Sequence, residues 1–183
     1  EFSKYKENVY MKTRSSRDTV YQLSGTQWIP YLYLDMGKYQ MPIEYEAWYS
    51  EDAYNKNAIN YWNIPRLEED DRYFFFTAVR QKYIQKGENE NDCKFIIYDK
   101  KAKEGFVVKD ENGMKITDDI LGGPNFWPRW STDNFYITTM EWSDLEQWTK
   151  EEKHILSPTL QEQFETWGED TNQLIVLCKK NNI

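Results

Sequence analysis

The pair Asp118-Asp119, followed by Ile120-Leu121-Gly122-Gly123, is the segment of this sequence best equipped for chemistry. Adjacent carboxylates beside two glycines can hold a cation or exchange a proton at a loop. The same residues at a strand end cap backbone amides in a turn, and that structural role is the expected one. An Asp-x-Asp-x-Asp-Gly calcium loop is absent from the sequence. Trp127, Trp130 and Trp142, with Phe126 and Tyr136, can form a flat platform for a sugar ring or can pack in a core, and core packing is favoured. A second aromatic group, Tyr45, Trp48, Tyr49, Tyr54, Tyr61 and Trp62, falls in a stretch without helical or strand periodicity. Not all of these rings can be buried, so the stretch is expected to be a contact surface. The ligand-binding candidates are therefore Asp118, Asp119, Trp127, Trp130, Trp48 and Trp62, with no catalytic residue, metal ligand or cofactor assigned.

Other chemistries find little support. His154, the one histidine, falls near the end of an expected helix, where a cation complements the negative end of the dipole. A Ser-His-Asp triad would have to use it, and no Gly-x-Ser-x-Gly elbow is present. Gly122-Gly123-Pro124 lacks the Lys or the spaced glycines of a phosphate loop. Cys93 and Cys178 have neither Cys-x-x-Cys spacing nor a histidine pair, which argues against structural zinc and leaves free thiols favoured over one long-range disulfide. The acidic runs Glu68 to Asp71 and Glu88 to Asp92 read as solvated loops.

The elements that must position these residues are mostly strands. Asn8 to Thr13, Thr19 to Leu23 and Trp28 to Met36 alternate with period two and are joined by the short polar turns Arg14 to Arg17 and Ser24-Gly25-Thr26. Pro30 marks an edge strand or a bulge. Residues 44–71 read as a long aromatic connection with a short helical turn near Ala58 to Trp62. A second meander follows in Tyr73 to Val79, Lys94 to Asp99 and Gly105 to Lys109, with Asp110 to Gly113 as a tight turn into Met114 to Thr117. The third group runs from Asn134 to Met140 and from Gln173 to Lys179, with two helices between. Ser143 and Glu146 form a capping box for a helix from Asp144 to His154, and Ser157-Pro158 opens the second, with Leu160, Phe164 and Trp167 on one face.

The chain has 31 aromatic residues among 183 (8 Trp, 14 Tyr, 9 Phe), enough for a folded core and against disorder. Its formal charge of −8 argues against nucleic acid as a partner. No apolar run approaches the ~20 residues needed to span a bilayer, so no transmembrane segment is expected. Opening at Glu1-Phe2-Ser3-Lys4, without an initiator Met or an apolar leader, the sequence reads as a processed, truncated or excised polypeptide, with any signal region absent. It is expected to form one domain, 1–183.

Several segments together resemble a family of bacterial six-bladed, NHL-like β-propeller proteins of unassigned function, mostly envelope lipoproteins. The matching residues are Asp18 to Tyr21, Pro30-Tyr31, Leu34 to Tyr39 with Pro42, Tyr73 to Phe76, Ile97 to Lys100, Asp118 to Gly123 with Phe126-Trp127-Pro128, and Glu169 to Asn172 entering Leu174 to Leu177. Where the family carries Pro after that Asn, this chain has Gln173. Their order is similar to the C-terminal half of such a propeller. The resemblance implies a mainly β fold of about three blades, 5–42, 72–117 and 130–183, with two short helices near the C-terminus, and a cell-envelope location. Half a ring leaves its first and last blade faces uncovered, so the missing blades or a second copy of the chain are expected partners. A compact four-bladed ring is the structural alternative.

These readings converge on a noncatalytic module that binds a protein or glycan through its loops. Two other functions compete. One is a carbohydrate-active lyase or hydrolase using Asp118, Asp119 or Asp133, which fails if the pair only accepts local backbone N–H bonds. The other is a scaffold inside an envelope assembly.

Overall fold

A computed structural model describes residues 2–12, 18–46, 50–81, 91–108, 116–118, 120–150, 155–168 and 172–180. The chain divides into two compact units, Glu1–Val107 and Val108–Ile183. The fold is mainly β, with three antiparallel sheets of four, four and three strands and a few short helices.

In the first unit, β1 (Phe2–Tyr5), β2 (Asn8–Lys12), β3 (Thr19–Ser24) and β4 (Gln27–Tyr33) form a meander in chain order. Gly25, at φ 61°, supplies the left-handed conformation for the two-residue turn between Ser24 and Gln27. β4 is an edge strand, and its pairing with β3 shifts register between Val20 and Tyr21, opposite the Pro30 to Leu32 stretch. The edge and bulge expected of Pro30 are both there. The expected turn Arg14 to Arg17 lies outside the described residues.

After β4 come 3₁₀ turns at Gly37–Tyr39 and Ile43–Tyr45, helix α1 (Glu51–Asn57), another 3₁₀ turn at Ala58–Asn60, and then β5 (Asn63–Glu69). The reading of 44–71 as a connection is corrected here, because it contains a helix and a strand. Ser50 caps α1 by accepting the Ala53 N–H at 3.1 Å. β5 hides its period because its register shifts between Asn63 and Arg66, around Pro65. With β6 (Tyr73–Gln81), β7 (Asn91–Asp99) and β8 (Glu104–Val107) it completes the second meander, which starts at Asn63 rather than at residue 72. Residues 82–90 and 109–115, which include most of the acidic run Glu88 to Asp92 and the expected turn Asp110 to Gly113, lie outside the described residues. Tyr10 and Val20 of the first sheet share one core with Ile64, Leu67, Phe74, Phe76 and Ala78 of the second. Full burial of a Val, Ile, Leu or Phe side chain contributes about 1.5–3 kcal/mol, so this shared core holds the two sheets together.

The second unit holds β9 (Trp130–Ser131), β10 (Phe135–Met140), α2 (Trp142–Thr149), α3 (Pro158–Thr166) and β11 (Leu174–Lys179), with sheet order β11-β10-β9. Ile116 forms an isolated antiparallel bridge with Phe126. The helices pack on one face of the sheet through Met140, Leu145, Leu156 and Leu160, joined by Leu174 and Val176. α3 begins as expected, with Ser157 accepting the Leu160 N–H at 3.3 Å and Pro158 in the first turn. α2 begins two residues before its expected start, because the capping box is Glu141 with Asp144 rather than Ser143 with Glu146. That start lets Trp142 stack on Phe164 of α3, ring centroids 5.9 Å apart at 21°. His154 lies outside the described residues.

Candidate functional site

The connection from β4 to β5 is an aromatic surface anchored from below. Met41 and Ala58 are buried, while Tyr39, Ile43 and Ile59 are exposed. Tyr45 and Tyr61 meet with ring centroids 6.1 Å apart. The Trp62 N–H donates to the Tyr39 carbonyl at 3.1 Å, pinning the two ends of the connection together. Burial raises the Tyr54 hydroxyl above its ordinary pKa. Of the two candidate tryptophans here, Trp48 lies outside the described residues, as does Tyr49. Trp62 packs partly buried against the first core, with the Arg80 guanidinium 5.1 Å and the Lys94 ammonium 5.6 Å from its ring centroid. Its ring thus meets the chain's own cations.

A second polar and aromatic cluster lies where the β5–β6 and β7–β8 turns meet the first sheet. Glu69, almost fully buried, accepts the Tyr31 hydroxyl at 2.6 Å and the Lys100 ammonium at 2.7 Å. Lys100 also sits 4.6 Å from the Phe74 ring centroid and 5.2 Å from that of Tyr5. Tyr5 and Lys6 both bond the Asp71 carboxylate. The Arg72 guanidinium is 2.9 Å from Asp99, and the Lys100 N–H donates to the Arg72 carbonyl at 2.8 Å. Burial, followed by the bond to Glu69, drives the Tyr31 hydroxyl far above its ordinary pKa. Tyr5 is pushed up to about 12, by burial and then by its bond to Asp71. The Ala102 N–H is the largest of several contacts that hold Asp99 below the ordinary carboxylate range. The run Glu68 to Asp71 was expected to be solvated, and the structure corrects this: Glu68, Glu69 and Asp70 are buried. Tyrosine hydroxyls and basic side chains reached from other strands make burial of charge tolerable there.

Asp118 is a turn cap. One carboxylate oxygen accepts the N–H groups of Ile120 and Leu121 at 3.2 and 2.9 Å, and the other that of Gly123 at 3.3 Å. Asp70 does the same for Arg72 and Tyr73, and Asp99 for Lys101 and Ala102. An aspartate accepting the amides two and three residues on is thus a repeated device of this chain. The turn is fastened to the helices by the Ser157 N–H on the Leu121 carbonyl, 2.7 Å, and the Trp148 indole N–H on the Gly122 carbonyl, 2.9 Å. Asp119 lies outside the described residues, and Asp133 is exposed.

Trp127 is buried, Trp130 is about half exposed on the third sheet, and Trp142 is committed to Phe164. Neither Cys93 nor Cys178 forms a disulfide, and burial together with nearby Asp118 raises the Cys178 thiol pKa. Among the described residues, no three His, Cys, Asp or Glu side chains gather as a metal would need, and no helix is long and apolar enough to cross a membrane.

The profile of DUF4934, a domain of unknown function, matches residues 1–179. The solved structure of a putative exported protein from Bacteroides fragilis is similar in fold, with TM-score 0.62 at 15% sequence identity. The match covers 98% of this chain and 49% of the other, so the chain spans about half the length of that protein. No curated protein matches the sequence.

Proposed function

This chain belongs to the DUF4934 family, and from that premise we propose that it is a noncatalytic binding module of the bacterial cell envelope. It recognises a protein or glycan through its loops and is built as part of a six-bladed β-propeller. The observation that carries the reading is the connection between β4 and β5, where Tyr39, Ile43 and Ile59 stay exposed beside the Tyr45–Tyr61 ring pair. Apolar side chains held at a surface by buried anchors gain free energy when a partner covers them. Antiparallel meanders that bury faces against one another are what blades require, which supports the propeller reading. The word "exported" in the name of the Bacteroides fragilis protein supports the envelope location. Further sheets, from additional blades or a second copy, complete the assembly. A carbohydrate-active enzyme is the weaker reading, because Asp118 is engaged by three local amides.

The test is retention of the chain on an immobilised panel of purified bacterial surface polysaccharides and outer-membrane vesicle proteins. The reading expects one panel member to retain the wild-type chain and to lose at least tenfold in retention with Tyr39→Ser/Ile43→Ser. Retention by none of them moves the weight to a scaffold role, and equal retention of the variant removes the connection as the binding surface.

A further inference from the structure

We propose that the connection between β4 and β5 takes a protein segment rather than a glycan, one that presents apolar side chains with Lys or Arg beside them. This rests on the reading of the connection as the binding surface and names its occupant.

The exposed apolar groups decide between the two classes. A sugar ring is held by an open aromatic face together with hydrogen-bonding side chains. Two of the three exposed apolar residues here, Ile43 and Ile59, are branched aliphatics that offer neither a flat face nor a hydrogen bond. The rings described in the connection are engaged by the chain itself. Tyr45 packs on Tyr61, the Lys38 ammonium lies 5.2 Å from the Tyr39 ring centroid, and Arg80 and Lys94 lie over Trp62. Isoleucines beside tyrosines suit the side chains of another polypeptide, since the centre of a protein interface is apolar and rich in aromatic residues.

Charge decides what flanks those side chains. Residues 34–62 carry five acids against two lysines. Of the acids, Glu46 is buried and Asp35 accepts the Gly37 N–H at 2.9 Å. Glu44, Glu51 and Asp52 are exposed and make no ion pair among the described residues. Glu44 shares its 3₁₀ turn with Ile43, and α1, whose first turn holds Glu51 and Asp52, packs against that turn. The helix dipole favours acids at the start of α1, and their exposure leaves the charge open to a partner. Lys38, Arg80 and Lys94 are drawn onto rings, whereas in the strand turns of the same unit Asp71 and Asp99 are paired with Lys6 and Arg72. A partner that covers Ile43 and Ile59 sets its own rim against the three carboxylates, where a basic side chain is attracted and an acidic one repelled. The formal charge of −8 on the whole chain draws such a partner from a distance.

Selection of short random peptides from a displayed library on the immobilised chain tests the proposal, with Tyr39→Ser/Ile43→Ser as the counter-selecting surface. The selected peptides are expected to combine Leu, Ile, Phe or Met with Lys or Arg. Binding of one such peptide, made synthetically, is expected to weaken about tenfold with Glu44→Lys/Asp52→Lys and to lose most of its salt dependence. Glu104→Lys/Glu162→Lys, which makes the same change in net charge at exposed positions outside the connection, is expected to stay within about twofold of wild type. Each variant is compared at an unchanged circular dichroism spectrum, and Ile59→Ser replaces Tyr39→Ser/Ile43→Ser if that pair misfolds. Selected peptides without basic residues overturn the proposal, and so does a control that weakens binding as much as Glu44→Lys/Asp52→Lys. Failure to select any peptide, while a panel polysaccharide is retained by the wild type and lost by Tyr39→Ser/Ile43→Ser, also overturns it, but leaves the connection as a binding surface filled by a glycan. When neither a peptide nor a panel member distinguishes the wild type from that variant, both readings fall.

Discussion

Tyr31 of β4 reaches the second sheet and donates a 2.6 Å hydrogen bond to Glu69 of β5, on the carboxylate oxygen that also takes the Lys100 ammonium. Two sheets of the first unit are thereby joined at a buried carboxylate. Lys100→Met removes the cation from this carboxylate and is expected to destabilise the chain by about 2 kcal/mol, less than a fully buried pair because Lys100 is partly exposed. Adding Glu69→Gln is expected to recover part of the loss, since the uncompensated charge goes with it. Urea titration of the single and double variants checks the order of stability.

The same cluster predicts an alkaline limit. Tyr5 is pushed up to about 12 and Tyr31 is also raised well above its ordinary value, while unfolded tyrosine ionises near 10. Raised folded pKa values contribute stability that is whole below pH 10 and is lost as pH rises through about 12. Tyrosinate absorbance is expected to show a fraction of the 14 tyrosines ionising late, together with loss of the β-sheet circular dichroism signal. Uniform ionisation near pH 10 with the fold intact contradicts the cluster.

At the acid end the sign reverses. Asp99 has a folded pKa below the ordinary carboxylate value, so its contribution is complete above about pH 4 and is lost as pH falls below it. Asp99→Asn is expected to lower stability at neutral pH, with the gap to wild type narrowing as the pH is taken below that value. Melting temperatures at pH 7 and near pH 3 test this.

Gly122 separates backbone strain from mere flexibility. Its φ is 69°, and a Cβ there would overlap the Ile155 carbonyl oxygen, whereas Gly25, at φ 61°, has open space around it. Gly122→Ala is expected to cost about 3 kcal/mol and Gly25→Ala about 1 kcal/mol. Denaturant midpoints of the two variants give the comparison.

Much of this fold was legible in the sequence because local chemistry agreed with the tertiary structure. β2 and β3 alternate with period two, β6, β7, β10 and β11 stand out as short apolar and aromatic runs, Pro30 marked its edge and bulge, and Ser157-Pro158 marked the start of α3. β5 was missed for a physical reason: its bulge around Pro65 breaks the period, and its Glu68 and Glu69 are buried only because partners distant in sequence reach them. The Ser50 cap of α1 was legible and went unread among the aromatic residues. α2 showed two overlapping caps, and stacking of Trp142 on Phe164 goes with the earlier one. The capping role expected of Asp118 fits its three amide bonds.

Hydrogen exchange on the chain bound to whichever panel member retains it tests the central claim, binding through the β4–β5 connection, most directly. The account predicts slowed exchange across residues 37–62, with residues 116–128 unchanged. Protection confined to residues 116–128, or none anywhere in 37–62, contradicts it.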